Sequence, residues 1–188
     1  MGLASGNYES AIPILTRHLR SIDDPYVKAD IAGLLATPSA RISAWDAVVA
    51  EYRRAPADGS PAKTALGHTL AILADRSRIS VLLELVQDLA HGFDRAVLIT
   101  HGLGKFRDES LVAVFESLLA DEKVTIAALE ALAKRGSLES LHHIVPLFEH
   151  RDSNVADEAR RAATRIERRH RVREARFGAP ADLPRHLA

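Results

Sequence analysis

The sequence predicts an all-α chain of about five helical hairpins stacked side by side. Three observations predict it. Apolar residues recur at helical spacing along nearly the whole chain, and no long alternating pattern of a half-buried strand interrupts them. Short breaks rich in Asp, Ser, Pro and Gly, which cap helices and make turns, divide the chain into about ten helices of roughly 10–16 residues. One helix-start pattern also returns several times, which marks a repeat architecture.

The elements follow in order. A first helix is expected over 8–20, with Ala11, Ile14, Leu15 and Leu19 on one face, and SIDDP at 21–25 ends it. Val27, Ile31, Leu34 and Leu35 define the second, which TPS at 37–39 closes. The third spans 40–54, where Ile42, Trp45, Val49 and Tyr52 share a face, so the only tryptophan reads as core. APADGSP at 55–61 leads into a fourth helix through Ala62, Leu66 and Leu70. Further helices are expected over 77–90, 109–120 and 138–149, with breaks at 91–94, 107–109, 135–137 and 150–153 separating them from their neighbours.

Three helix starts carry the same pattern: Asp24-Pro-Tyr-Val27, Asp121-Glu-Lys-Val124 and Asp152-Ser-Asn-Val155. Each has Ile or Ala four residues after the valine and an apolar pair seven and eight after it. Asp94-Arg-Ala-Val97 and Ser60-Pro-Ala62 are looser copies. With Val27, Ala62, Val97, Val124 and Val155 as anchors, the intervals are 35, 35, 27 and 31 residues. Aspartate at a helix start accepts from a free backbone N–H and suits the positive end of the helix dipole. The apolar positions form one stripe. A single pair of such helices cannot bury its own apolar surface, whereas a stack of pairs can.

This DxxVxxxA pattern with a preceding amphipathic helix resembles HEAT repeats and the related bacterial HEAT-like modules. Pro13 in AIPIL and Pro146 in HIVPLF resemble the proline of the first helix in that repeat. The resemblance covers roughly 8–168, and the Asp-x-x-Val start is lost or displaced in the second and third units. It implies a right-handed α-solenoid of the HEAT/ARM kind, a curved binding surface lined by the second helices, and no particular activity. On a helical wheel the strip left for a partner comprises Tyr26, Asp30, Gly33 and Thr37, then His68, then Lys123, Glu130 and Lys134, then Asn154, Glu158, Arg161 and Arg165. The expected function is a non-enzymatic scaffold that binds a protein partner there, with no cofactor and no metal. An immunity protein that neutralises a toxin domain is a specific alternative. An alkylpurine DNA glycosylase of the HEAT-like branch, or another DNA-binding protein, is a second. A lyase or chaperone-like HEAT protein is a third.

Composition narrows these readings. Hydrophobic residues make up 47%, but aromatics only 5%, so alanine and aliphatic side chains must fill the interior. There is no cysteine, which excludes disulfides and thiolate metal sites and suits a cytoplasmic chain. The net charge is zero, so nothing global steers the chain to nucleic acid or to a membrane. The zero hides a dipole. Residues 160–176 hold eight arginines and two glutamates, and residues 1–159 hold 16 basic and 22 acidic residues. Arg168, Arg169 and Arg173 are therefore candidate anion ligands, against the reading of this helix as a polar end cap. Residues 1–7 read as a leader, 8–176 as one repeat domain and 177–188 as a flexible tail.

Local motifs add no chemistry. His142, His143, Glu149 and His150 look ligand-like, but His143 and His150 are seven apart, whereas two histidines on one helix meet a metal at a spacing of four. Gly102-Leu-Gly104-Lys105 lacks the first glycine and the Ser/Thr of a phosphate loop, and reads as tight packing or a helix end. No Gly-x-Ser-x-Gly elbow occurs.

Overall fold

Prolines and aspartates start several of the helices. The computed structural model describes residues 8–57 and 59–177, so the leader and nearly all of the tail lie outside the described residues. Helix α1 (Ile12–Ser21) carries Pro13 in its first turn, where the missing N–H has no helical partner to lose. Helix α2 (Pro25–Leu35) begins on Pro25, and the Asp24 carboxylate accepts from the amides of Tyr26 and Val27, both at 2.9 Å. Then come α3 (Trp45–Arg54), α4 (Pro61–Leu73) and α5 (Ile79–Gln87). The short α6 (Arg95–Val97) runs straight into a π-helical segment, Leu98–Leu103. Four more follow: α7 (Ser110–Ser117), α8 (Thr125–Arg135), α9 (Leu141–Ile144) and α10 (Ser153–Phe177). Among the described residues all regular structure is helical, and no helix is long and apolar enough to cross a membrane.

The helices pair in chain order: α1 with α2, α3 with α4, α5 with the π segment, α7 with α8, and 141–149 with α10. The second members also pack on one another in order, α2 on α4, α4 on the π segment, that segment on α8, and α8 on α10. One hydrophobic core runs through all five pairs from Ile12 to Ile166. Small residues set the close approaches. A β-carbon on Gly67 of α4 would lie 2.6 Å from Cγ1 of Val97. Alanines 127, 128 and 131 of α8 and 159, 162 and 163 of α10 are buried.

Buried charges stitch the pairs together. Lys28 of α2 meets Glu51 of α3 at 2.5 Å with both side chains nearly covered. Arg95, 1% exposed, donates to the carbonyls of Gly92 and Val86 and to the Asp121 carboxylate at 2.6 Å, and so joins the third pair to the fourth. A charge-assisted bond and two carbonyl acceptors together compensate for desolvating the guanidinium.

Several sequence expectations need correction. Ile42 is 85% exposed and precedes α3, which begins only at Trp45. Ile14, Val27 and Leu34 are about half exposed, because among the described residues no helical pair precedes α1 and α2 to cover their outer side. The helix expected over 138–149 is a single α-turn, α9, continued as a 3-10 turn over Val145–Glu149. Pro146 accounts for the break, since it has no N–H to donate and its ring clashes with the preceding turn. Asp121 does not cap α8. Its carboxylate accepts from the Lys123 amide at 3.1 Å within the preceding turn and takes Arg95 on its other oxygen.

Candidate functional site

Helices α4, α8 and the π segment between them position the site. In the π segment the Gly104 amide reaches back five residues to the Ile99 carbonyl at 2.8 Å. That wider turn rotates the face. Leu103, which an ideal wheel puts on the expected strip, is fully buried, and His101 is exposed instead. Gly104 permits the turn, since a β-carbon there would lie 2.7 Å from the Thr100 carbonyl oxygen. The glycines of GLGK are thus packing residues. Lys105 binds no phosphate loop; its ammonium donates to the carbonyls of Ala71 and Ala74, at the end of α4, at 2.5 and 2.6 Å.

His101 lies beside His68 of α4, ring centroids 6.1 Å apart. The pair opens into a shallow cleft of about 300 Å³, lined also by Ala96, Val97, Thr100, Lys123, Ile126, Ala127 and Glu130. Burial, and then the neighbouring His101 ring, hold His68 below its ordinary value of 6.5. The Thr100 hydroxyl donates to the Ala96 carbonyl, and the Lys134 ammonium sits 3.4 Å from the Thr100 carbonyl. Lys123 lies 5.3 Å from the centre of the Phe93 ring. Glu130 is half-buried and forms no ion pair with a described residue.

Three strip residues from the sequence, His68, Lys123 and Glu130, thus meet around one cleft. The others lie along the second helices on either side. Tyr26, Asp30 and Gly33 are exposed and Thr37 half-buried at the α2 end. Lys134, Asn154, Arg161 and Arg165 are exposed toward the α10 end. Glu158 departs from the expectation: only 9% exposed, it pairs with Arg161 at 3.2 Å. His101 is the residue that a uniform helical wheel misses. The sequence signal is the Gly-x-Gly that follows it, which loosens the spacing of the third unit.

The candidate anion ligands fare differently. Arg168 is exposed. Arg169 is spent on the carbonyls of Ala133 and Gly136 at the end of α8, the first of them at 2.6 Å. The side chain of Arg173 lies outside the described residues. Of the histidine cluster, His142 and His143 are exposed, and Nδ1 of His150 accepts the Asp152 amide at 3.1 Å. Among the described residues no three His, Asp or Glu side chains are arranged to hold a metal ion.

Two larger clefts contain no strip residue other than Lys123. One, about 640 Å³, opens beside Leu89 with Arg95 in its wall, and that guanidinium is fully used as described above. The other, about 580 Å³, lies between α7 and α10 where the shortness of α9 leaves a gap. Glu116 and His143 face each other there at 3.8 Å. No family model, curated protein or solved structure matches this chain.

Proposed function

We propose that the chain is a non-enzymatic α-solenoid of the HEAT-like kind that binds a protein partner along the exposed face of its second helices. One observation carries this reading. Side chains from three successive pairs, His68, His101, Lys123 and Glu130, converge on a single cleft in the middle of a line of exposed residues. Shallow, mixed and spread over several helices, that surface suits recognition of an extended partner better than enclosure of a small substrate. The second-on-second packing order supports the stacked architecture. Trp45 is 1% exposed, which withholds the large aromatic that a base-stacking surface would use.

The test is capture from the native host with folded chain as bait, beside a variant carrying Lys123→Glu, Lys134→Glu and Arg165→Glu and a control carrying Arg17→Glu on α1. The expected result is a protein retained by wild type and control and lost by the triple variant. Retention of the same protein by all three, or no retained protein at all, would sink the proposal.

A further inference from the structure

We propose that two copies of this chain associate through the outer side of the first pair, with α1 of each copy lying over α2 of the other. That surface is separate from the cleft at His68 and His101, so the association does not depend on the binding role above.

Helix α2 shows which side is open. Ala32 is fully buried and its carbonyl takes the Thr69 hydroxyl of α4 at 2.8 Å, which marks the side of α2 turned into the stack. At about 100° per residue, Val27 and Leu34 stand on the opposite side. They are 44% and 50% exposed. The matching residues of the fourth and fifth units, Val124 and Ala131, then Val155 and Ala162, are buried where the π segment packs on α8 and α8 on α10. Helix α1 packs on α2 and α3, and its Ile14, well round from the buried Ile12 and Leu19, is 54% exposed.

Charge selects the occupant. Helix α1 bears Arg17, His18 and Arg20, all exposed, and no carboxylate. The acids of α2 and the residues just before it are Asp23, Asp24 and Asp30, and its one cation, Lys28, is buried on Glu51. Asp24 is engaged as the cap of α2, and Glu9, in the turn before α1, already has an interaction. Arg17, Arg20, Asp23 and Asp30 form no ion pair with a described residue. Arg17 and His18 are three and four residues from Ile14, and Asp30 is three from Val27 and four from Leu34, so these charges border the apolar side chains.

A two-fold axis joins such a side to itself in two ways. Perpendicular to the helices, it lays α1 on α1 and α2 on α2, basic on basic and acidic on acidic. Parallel to the helices and between them, it lays α1 of each copy on α2 of the other. Only the second arrangement covers Ile14, Val27 and Leu34 and also sets Arg17 and Arg20 against Asp23 and Asp30 of the other copy, twice over. The far end of the stack is a poor competitor. Most exposed charges of α10 are arginines, and Val172 is the one large apolar side chain exposed there among the described residues. Head-to-tail growth would bring those arginines to the basic α1 and leave Val27 and Leu34 without an apolar counterpart.

Sedimentation equilibrium of the full chain over roughly 5–200 μM near neutral pH tests this. Expected is a reversible equilibrium that stops at twice the chain mass. Val27→Asp/Leu34→Asp is monomeric throughout, and Val172→Asp leaves the equilibrium unchanged. Arg17→Glu and Asp30→Lys each weaken self-association by about threefold or more. An equal mixture of those two variants regains the dimer, because each then offers the other an opposite charge at both contacts. Circular dichroism checks every variant, and if Val27→Asp/Leu34→Asp does not fold, the mixing experiment decides. A wild-type chain monomeric at every concentration, growth beyond a dimer, loss of the dimer in Val172→Asp, or a mixture no tighter than its separate components overturns the proposal.

Discussion

Lys63 is buried to 1% exposure and still finds a full set of partners. Its ammonium donates to the carbonyls of Tyr52 and Ala55 at the end of α3, lies 4.2 Å from the centre of the Tyr52 ring, and reaches Nδ1 of His91 at 3.0 Å. That last bond decides the state of His91. An ammonium can only donate, so Nδ1 must be the acceptor and the imidazole is neutral with its proton on Nε2. Burial, and then the Lys63 charge, hold His91 below its ordinary value of 6.5. Above that value both folded and unfolded chains carry a neutral ring, and His91 contributes nothing to pH dependence. Below it the unfolded chain binds a proton that the folded chain refuses, so stability falls, by at most about 1.4 kcal/mol per pH unit, until the folded pKa is reached. Urea denaturation at roughly pH 7.5 and 5.5 should show wild type losing stability on acidification and His91→Gln losing less. His68 shifts in the same direction and leaves a residue of the effect in the variant. Equal losses in both proteins would mean that His91 is not held neutral.

At the scale of elements, cations from one pair repeatedly finish the second helix of the pair before. Lys105 takes the end of α4, Arg135 takes the Gly104 and Lys105 carbonyls at the end of the π segment, and Arg169 takes the end of α8. Helix C-termini leave carbonyls without partners and carry partial negative charge, so each such cation meets both needs. Lys105→Met should cost about 1–2 kcal/mol, less than a fully buried charged bond because the side chain is partly exposed. Arg107→Met, on the exposed surface nearby, should change stability by less than about 0.5 kcal/mol. A cost for Lys105→Met no larger than that of the control would remove the capping role. These caps also show what could be read from the sequence and what could not. Helix breaks were readable because Asp24, Pro25, Pro61 and Asp152 act locally, through their own backbone and the next few residues. Arg169 reads from the sequence as a candidate anion ligand because its actual partners, the Ala133 and Gly136 carbonyls, are 36 and 33 residues away. His101 was missed for a related reason: the wheel assumes one turn size, and packing against α4 and α8 selected another. Along α4, α8 and α10, which keep ordinary α-helical spacing, the wheel places His68, Lys134, Arg161 and Arg165 correctly on the exposed side and misplaces Glu158.

For the whole molecule, the order of packing has a thermodynamic consequence. If each pair is stabilised mainly by its two neighbours, the ends of the stack should open before its middle. Helix α2 packs mainly on α1 and α4 and leaves Val27 and Leu34 half exposed, whereas α8 is covered on both sides and buries Ala128, Leu129, Ala131 and Leu132. Helix α10 is covered on its α8 side, and among the described side chains its last buried apolar one is Ile166, eleven residues before the helix ends at Phe177. Native-state hydrogen exchange should therefore rank protection from the centre outward. The slowest amides are expected in α4, the π segment and α8, with faster exchange in α1 and α2 and the fastest in the last turns of α10. Leu66→Ala, at a fully buried site in α4, should cost about 2–5 kcal/mol and lower protection in every pair, because it damages interfaces on both sides. Ile12→Ala in α1 should lower protection mainly in α1 and α2. Uniform exchange across all five pairs, responding equally to both substitutions, would show one cooperative unit and overturn the nearest-neighbour account.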